Sequence, residues 1–508
     1  MAADRVFANG RVYTLDPAGT IAQAVAIDGE RIAAVGSTDQ IRAFAGPGVE
    51  EIDLAAKTVI PGCIDTHCHL MMHGLACTRS ANLTDCRSIA ELQERLRAHR
   101  ATKPNAEWLI GERFDQEMFA DRRWLTREDL DQVSKDVPIL AARLCYHAIV
   151  GNSAALLPVK DQLTKEQWET GRLTEDDTSL LWRQVPGSTD EELENAALHA
   201  FTEARHAGLT SVHSQFNSER ELAAVRRLHE KNTLPVRVRF QWPFHLMDRL
   251  IAEGLKTGSG DDWLRVGSIK IFMDGSMGAR TCAMCEEFAD DPGNCGELFR
   301  TDEELAEMLV EVQSNGCQAA IHAIGDLAIV HSIGAIEIAM PNGNERNVLR
   351  HRIEHAAQLS PKILDDMARL NVMASVQPQF IITDFWTHER VGPERYRYTY
   401  PFKSMLELGI RFGMGSDCPV EKLDTMQLVH RAVNRDSMSQ HECLTVDQTL
   451  RLYTSGSAYI GFEEQCKGSL EVGKLADFVV LSEDPYSVEP QRLERVRPLA
   501  TALGGQMQ

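Results

Sequence analysis

Eight short apolar runs are spread through the middle of the chain, and each is short enough to be a buried strand. They are TVIPGCIDTH, GLTSVHS, PVRVRFQW, VGSIKIFMD, CQAAIHAIG, VLRHRIEH, NVMASVQP and IRFGMGSD. Helical patterns such as DEELAEMLVEVQSNG and SPKILDDMARLN separate several of these runs. Because alternating strands and helices are typical of a parallel sheet, the pattern predicts an α/β fold built on a (β/α)8 TIM-like barrel.

The two ends of the chain share a different pattern, in which short alternating strands are separated by Gly and Asp turns. The start reads RVFANGRVYTLDPAG, AVAIDGERIAAVGS and EEIDLAAKTVIPG, and the end returns to this style in GSLEVGKLADFVVLSEDP and RPLATALGG. Neither end has enough apolar area to fold alone, so we expect the two ends to pair with each other.

The segment 71–207 is too long to be a simple connection between the first two barrel strands. It contains the stretch LTREDLDQVSKDVPILAARLCYHAIVGNSAAL. Long connections in compact domains usually carry structure or function of their own, so we predict a folded insertion after the first strand. Its place next to His67 and His69 suits a lid or a wall of the substrate pocket.

Composition narrows the class of protein. The 508 residues are 43% hydrophobic, which is enough for one barrel core and an accessory domain. A formal charge of -21 argues against nucleic acid and anionic membranes as partners, since both attract basic surfaces. No basic, apolar leader opens the chain at MAADRVFANG and no apolar run reaches about 18 residues, so we expect a cytoplasmic protein. Twelve cysteines without a compact disulfide spacing are expected to be mostly reduced.

Side chains that can bind a metal ion stand at or near the ends of several predicted strands. They are His67, His69, Lys270, His322, His355 and Asp417. His67 and His69 are two apart on a strand, so they share one face while Cys68 turns to the other. In a parallel barrel such strand ends converge on one open face. Imidazoles and carboxylates suit a divalent ion that keeps a position for water, which predicts a metal-dependent hydrolase.

The same residues lie in blocks that resemble the YtcJ-like branch of the amidohydrolase superfamily, which includes N-substituted formamide deformylase. The matching blocks are PGCIDTHCHL, YHAIVGNSAAL, KIFMDGSMGART, DDPGNCGEL, HAIGD, RIEHA, YPFKSMLELGIRFGMGSDCPV and GSLEVGKLADFVVL. The resemblance covers nearly the whole chain. It implies that residues 1–57 and 465–508 form a small composite β-sandwich beside a hydrolase barrel of residues 58–464.

Lys270 lies in an otherwise apolar strand, where an unpaired ammonium is costly to bury. The resemblance implies that CO2 carboxylates this lysine and that the carbamate bridges two metal ions. The alternative is a buried lysine paired with an acid, for which Asp274 is the candidate. Asp274 also matches a block of the resembled family, so it has a second possible role in shaping the pocket.

His322 and His355 would complete the set of ligands at the fifth and sixth strands. Glu354 precedes His355, so in a regular strand it faces the other way, and we interpret it as an orienting or structural acid. Deaminases of the superfamily carry a glutamate three residues after the histidine that matches His322. Gly325 stands there in this chain, which disfavours a nucleobase-type deaminase.

Asp417 ends the eighth predicted strand, where a carboxylate can contact the metal and move a proton. It would take the proton from the metal-bound water as this water attacks, and deliver it to the leaving nitrogen. Metal coordination lowers the pKa of the water toward about 7, so hydroxide is available at neutral pH. The alternative is an ordinary aspartate in a turn.

Residues that contact the substrate are expected near the open face or in the insertion. The candidates are His73, Arg143, His147, Glu175, Trp386, Tyr396 and Arg397, each with a structural role as the alternative. His147 is the best supported, because YHAIVGNSAAL matches the H-x-x-x-x-N-S pattern of the resembled family. Tyr146 replaces the usual glycine of that pattern and is expected to narrow the pocket.

These observations predict hydrolysis of a C–N amide-type bond in a small molecule, such as an N-acyl or N-formyl amine. The metal is expected to be Zn2+, as one ion or two, with Mn2+ or Fe2+ as alternatives. A cyclic amide, ester or lactone hydrolase would use the same site. A non-enzymatic regulator that keeps the fold is the competing class, although all six candidate ligands are present. Barrels of this kind commonly form symmetric oligomers, so we expect a homodimer.

Overall fold

The computed structural model describes residues 3–104, 106–340, 346–435 and 438–507. An eight-stranded parallel sheet forms the centre, and its strands are neighbours in chain order. The strands are Cys63–Cys68, Leu209–Gln215, Arg237–Pro243, Leu264–Phe272, Gln318–Ala323, Arg352–His355, Met373–Val376 and Phe412–Met414. Each overlaps one of the eight apolar runs of the sequence, and nearly every residue in them is buried. The first run also contains Thr58–Pro61, which belongs to another sheet.

The loop after the eighth strand closes this sheet into a barrel against the first strand. The Asp417 amide donates to His67 O at 2.7 Å, and the His69 amide donates to Cys418 O at 2.7 Å. Helices surround the barrel, with bounds Leu70–Arg79, Asp190–His206, Glu219–Glu230, Met247–Ala252, Asp302–Ser314, Asp326–Ala339, Pro361–Leu370, Phe402–Glu407 and Thr425–Asn434. The closure brings the two ends of the barrel sequence, His67 and Asp417, into contact.

The two ends of the chain form two further sheets that share one apolar core. Strands Arg31–Gly36, Ala24–Asp28, Arg5–Ala8 and Glu50–Asp53 form the first sheet. The second contains Gln506–Met507, Pro498–Leu503, Phe478–Leu481, Thr58–Pro61, Arg11–Tyr13 and Ile21–Ala22. Phe478–Leu481 pairs antiparallel with Thr58–Pro61, so the end of the chain completes a sheet begun at its start. Phe7, Ile27 and Phe478 pack together in the core between the sheets.

The chain between the first and second barrel strands forms a separate five-stranded sheet. Its strands are Arg172–Thr174, Ala148–Gly151, Ile139–Arg143, Leu109–Phe114 and Ala81–Asn82. Its two faces pack into separate apolar clusters, which include Leu96, Phe114 and Ile139 on one side and Leu140, Ile149 and Leu173 on the other. The predicted fold class, an α/β barrel with a sandwich from the chain ends and an inserted unit, is confirmed.

The described chain contains ten further α-helices. Their bounds are Thr38–Ala45, Ile89–Thr102, Arg127–Asp131, Ser153–Leu156, Lys165–Thr170, Ser179–Trp182, Phe380–Thr383, Thr387–Tyr396, Val446–Arg451 and Ser457–Ile460. Within the described ranges, no helix is long and apolar enough to cross a membrane.

Candidate metal centre

The six candidate ligands meet at the carboxyl ends of the barrel strands. His67 is the last residue but one of the first strand, His69 precedes the helix Leu70–Arg79, and His355 ends the sixth strand. His355 and Asp417 have backbone φ angles of 75° and 57°, in a region that residues with a side chain rarely adopt. Such angles turn both side chains out of the regular strand direction and are typical of functional sites.

Three pairs of ligand atoms lie at nearly the same distance from each other. Asp417 Oδ1 lies 3.2 Å from His67 Nε2 and 3.1 Å from His69 Nε2. His355 Nε2 lies 3.1 Å from His322 Nδ1. Zinc–ligand bonds of about 2.0 to 2.3 Å place the atoms of one tetrahedral shell about 3.3 to 3.8 Å apart. These separations are therefore close to those of ligands that share an ion.

The hydrogen bonds of the outer ring atoms decide where the protons of His322 and His355 lie. His322 Nε2 is 3.0 Å from Gly275 O, and a carbonyl oxygen can only accept. His355 Nδ1 is 2.9 Å from Gln377 Oε1, while the amide nitrogen of Gln377 donates to Ser375 O. Each neutral ring therefore has its proton on the outer nitrogen. The two inner nitrogens present bare lone pairs to each other at 3.1 Å, which is unfavourable without a cation between them.

Burial keeps both of these rings neutral. It lowers the pKa of His355 to about 3, and burial together with the neighbouring His355 and Lys270 holds the pKa of His322 well below its usual range. Burial by itself would raise the pKa of Asp417, but the His67 and His69 imidazoles hold the pKa of that carboxyl well below its usual range. At neutral pH the centre thus combines the neutral rings of His322 and His355 with an ionised carboxylate.

Glu354 lies nearer to the centre than strand alternation predicts. Its Oε2 is 2.7 Å from His67 Nδ1, while Oε1 accepts a hydrogen bond of 2.7 Å from Arg352 Nε. The regular-strand expectation was wrong because the positive φ of His355 turns its side chain to the interior, the side on which Arg352 and Glu354 already lie. Its contact with the outer nitrogen of His67 fits an orienting acid, which fixes how an imidazole presents its other nitrogen.

Lys270 is buried without a hydrogen-bond partner. Its Nζ has none among the described residues, and its side chain lies over Phe272 at 4.9 Å. Burial lowers the pKa of Lys270 to about 8, against the opposing charges of Glu354 and Asp417. The alternative pairing of Lys270 with Asp274 is not found.

Asp274 has partners of its own on the neighbouring loops. Its carboxylate accepts hydrogen bonds from the backbone N–H groups of Ala283, Ile324 and Gly325 at 2.8 to 3.3 Å. Burial raises its pKa to about 7, and these three donors act in the opposite direction. Asp274 therefore shapes the loops beside His322 and does not compensate Lys270.

Two cavities meet at the centre, and the insertion contributes walls to both. Their shared lining consists of Cys145, His147, His322, His355, Asp417 and Val420. The outer cavity has a volume of about 440 Å³ and also contacts His67, His69 and Glu175. The inner one, of about 80 Å³, is lined by the aromatic rings of Phe380, Trp386 and Tyr400. A molecule bound at the centre would therefore have a small space on one side and a large space on the other.

Besides Glu175, three of the predicted substrate contacts line these cavities. His147 Nδ1 is 2.7 Å from Glu175 Oε2, and its ring lies 5.5 Å from that of His322. Burial lowers the pKa of His147, but the hydrogen bond and charge of Glu175 outweigh it and raise that pKa to about 9. Arg143 lines the inner cavity and is held by Asp115 and Gln116, at 3.0 and 2.9 Å. Trp386 is the third, and its Nε1 is buried without a partner among the described residues.

The structure does not bring the remaining candidates to the cavities. His73 faces the helix Asp190–His206, where its Nε2 lies 2.5 Å from Glu203 Oε2, because the helix that carries it turns this face away from the barrel mouth. Arg397 is exposed just after the helix Thr387–Tyr396. Tyr396 packs against the ring of His388 at 5.0 Å.

Several residues of the site were missed by the sequence reasoning. Gln377 follows the seventh strand, so the rule that located the histidines at strand ends also points to it. Glu421, Asp384, Tyr400 and Cys145 lie in loops and short helices, where no periodic pattern indicates the direction of a side chain. Burial raises the pKa of Glu421 to about 8, and its Oε1 has no partner in the described chain.

Comparisons with known proteins agree with this architecture. A model of the amidohydrolase family matches residues 50–507. The putative amidohydrolase YtcJ of Bacillus subtilis is 30% identical over 99% of this chain and 98% of its own. N-substituted formamide deformylase of Arthrobacter pascens is 27% identical over 99% and 97%. The crystal structure of an uncharacterized metal-dependent hydrolase of Pyrococcus furiosus is 30% identical and covers 95% of this chain and all of its own, with a TM-score of 0.79.

The family model spans most of the chain, and the relatives match it from end to end. The strands that carry the candidate ligands fall inside the matched range. The chain therefore belongs to the amidohydrolase family.

Proposed function

We propose that this protein hydrolyses the C–N bond of an N-acyl or N-formyl amine at a divalent metal site held by His67, His69, His322, His355 and Asp417. The observation that carries the proposal is the pair of bare nitrogen lone pairs at 3.1 Å in His322 and His355. A neutral ring with its proton on the outer nitrogen can bind a cation through the inner nitrogen. Hydrogen bonds from the outer nitrogen to a carbonyl oxygen are usual for metal-binding histidines. Zn2+ suits this set of nitrogen and oxygen donors.

A bound divalent ion would supply Lewis acidity, which lowers the pKa of a water molecule and polarises the scissile carbonyl. The chain supplies the proton transfers. Asp417 is ionised, faces His67 and His69, and also lines both cavities, so it can take a proton from the attacking water. The same carboxyl can then give this proton to the leaving nitrogen.

His147 supplies a positive donor on the other side of the reacting group. Because Glu175 raises its pKa to about 9, its ring is protonated at neutral pH. It lines both cavities next to His322, where a donor can stabilise negative charge that develops on the carbonyl oxygen. His147 would therefore act on the carbonyl oxygen of the amide, and Asp417 on its leaving nitrogen.

Lys270 fits a carbamate better than an ammonium. Reaction with CO2 needs a neutral amine, and burial that lowers the pKa of Lys270 to about 8 makes that form accessible. The resulting anion would replace an unpartnered cation with oxygen donors, and one proton would be released in its formation. We propose that this carbamate would be a further ligand of the bound metal, whether one ion or two.

The unequal cavities favour a substrate with one small and one large substituent. The inner space of about 80 Å³ suits a small acyl group such as formyl, and the outer space of about 440 Å³ suits the amine portion. A deformylase among the full-length relatives points to the same chemistry. Lactams, lactones and esters remain substrates that the same attack would open.

The decisive experiment is an assay of the Zn2+-loaded and Mn2+-loaded protein on matched substrates. N-formyl amines, N-acyl amino acids, lactams and aryl esters are compared by kcat/KM, with metal content measured on the same samples. We expect the N-formyl amines to be the best substrates. Turnover of lactams or esters alone would contradict the amide proposal, and a protein that retains no stoichiometric metal would favour the non-enzymatic class.

A further inference from the structure

Two helices outside the centre each carry a pair of metal-binding side chains spaced four residues apart. The helix Leu70–Arg79 carries His73 and Cys77, and the helix Asp190–His206 carries His199 and Glu203. Side chains four residues apart lie on the same face of a helix. The four residues are called the interhelical cluster below.

The helices approach closely enough for these pairs to face each other. A Cβ atom added at Gly74 would lie 2.0 Å from Ala196 O, so only glycine permits this approach. Gly74 follows His73, and Ala196 lies one turn before His199 and two turns before Glu203. The close approach therefore lies beside the cluster.

Three members of the cluster have the spacing of a metal site, and His199 lies beside one of them. The ligand atoms of His73, Cys77 and Glu203 all lie within 4.8 Å of one another. Cys77 Sγ is 3.8 Å from His73 Nε2, which matches the separation of about 3.3 to 3.8 Å in a tetrahedral zinc shell. His73 Nε2 and Glu203 Oε2 are closer, at 2.5 Å, and a rotation of the partly exposed Glu203 side chain opens this distance. His199 Nε2 is 3.5 Å from Glu203 Oε1.

The chemistry of the donors selects the ion. A thiolate, imidazoles and a carboxylate together favour Zn2+ over Mg2+ or Ca2+, which prefer oxygen. The positive charge of Arg113 is near enough to lower the pKa of Glu203, and it would also repel a bound cation. The two negative charges of a thiolate and a carboxylate would outweigh this repulsion. Cys77 is exposed, so an ion can enter from solvent without opening the fold.

We propose that His73, Cys77 and Glu203, with His199 as the fourth ligand, bind a Zn2+ ion that ties the two helices together. A hydrogen bond between His73 and Glu203 alone would explain that pair, but it would leave the thiol and the second histidine unexplained. None of the four residues lines the two cavities of the centre, so this is a separate site with a structural role. Four protein ligands and no open position are typical of structural zinc.

Cobalt substitution of the full-length protein tests the site without any assay of activity. Cobalt bound to a thiolate has a charge-transfer absorption in the near ultraviolet, whereas the centre offers nitrogen and oxygen ligands. The wild type and Cys285→Ser, a matched control at another exposed cysteine, should both show this absorption. Cys77→Ser should lose it and should contain one zinc ion fewer per chain by elemental analysis.

Glu203→Gln supplies a second variant, because it keeps the size of the side chain and removes its charge. It should weaken zinc binding at this site by at least tenfold in competition with a chelator, while the zinc at the centre is retained. Equal zinc content and an unchanged absorption in Cys77→Ser would overturn the proposal. Because these readouts need no turnover, the site can fail while the proposed hydrolase function stands, and the reverse is also possible.

Discussion

At the scale of single residues, the positions of protons carry most of the information about function. The outward protons of His322 and His355 leave their inner nitrogens bare, and the neighbouring Asp417 is ionised. No pattern in the sequence reports a tautomer, because it depends on the partner of the other ring nitrogen. Gly275 O and Gln377 Oε1 supply those partners from distant parts of the chain.

Replacing Asp417 with asparagine should separate proton transfer from folding. Asp417→Asn keeps the shape and one oxygen, so we expect an intact fold and most of the metal. General-base catalysis contributes about 10²- to 10⁴-fold, so kcat should fall by at least two orders of magnitude. Asp384→Asn is the matched control, because Asp384 lines the inner cavity but bonds to Tyr400. Near-normal turnover of metal-loaded Asp417→Asn would exclude this carboxyl as the base.

Replacing Lys270 with alanine tests the carbamate. We expect Lys270→Ala to lose metal and activity together, and short carboxylic acids or bicarbonate to restore part of both by supplying the missing oxygens. A lysine without this modification would show no rescue. Intact mass measured under conditions that retain CO2 gives an independent reading, and an unmodified Lys270 in an active, fully loaded protein would contradict the carbamate proposal.

At the scale of elements, the inserted unit supplies a part of the site that the barrel strands do not. Arg143 ends one strand of its five-stranded sheet, His147 immediately precedes the neighbouring strand, and Glu175 follows a third. The unit therefore forms a wall of both cavities, and we propose that it governs access as well. These strands are antiparallel neighbours, so the end of one, the start of the next and the end of the third lie at the same edge of the sheet.

Replacing Glu175 with glutamine should shift the pH profile of the reaction. Glu175 raises the pKa of His147 to about 9, so its removal lowers that pKa. If protonated His147 stabilises the reacting oxygen, activity then falls at a lower pH than in the wild type, and the alkaline limb of kcat/KM moves down. Asp176→Asn is the matched control, since Asp176 lines the same outer cavity beside Glu175. An unchanged alkaline limb in Glu175→Gln would remove His147 from this role.

At the scale of the whole molecule, a buried ion pair joins the sandwich to the barrel. Arg237 of the third barrel strand donates to both oxygens of Asp477 at 2.7 and 3.0 Å, and to Glu30 at 3.0 Å. The guanidinium also lies 4.4 Å from the ring of Trp263. Burying one charge without the other is expensive, so this pair makes the two parts of the molecule depend on each other.

Removing one partner of this pair should lower the free energy of unfolding more than removing both. Asp477→Ala leaves Arg237 buried without its bidentate carboxylate, which costs about 3 to 5 kcal/mol in the free energy of unfolding. The double variant Arg237→Met with Asp477→Ala should recover part of that loss, because no charge is then stranded. Urea denaturation of both variants and the wild type measures the difference. A double variant less stable than Asp477→Ala would show that packing at Arg237, and not its charge, is the main contribution.

The sequence by itself determined the barrel and the set of candidate ligands. Buried parallel strands read as apolar runs, and the carboxyl ends of such strands converge, so His67, His69, Lys270, His322, His355 and Asp417 could be located without coordinates. It also indicated the pairing of the chain ends, because neither end has enough apolar surface alone. These properties depend on local pattern and on rules of chain connection.

Only the tertiary structure decided how these residues meet. The turn at His355 places its side chain on the same side as Glu354, which contacts His67. Asp274 accepts hydrogen bonds from the loops and does not pair with Lys270, and His73 faces Glu203. Each of these contacts joins residues whose approach depends on backbone angles and on the packing of whole helices. Periodicity tells which face of an element a side chain occupies, but the partner on that face is chosen by the fold.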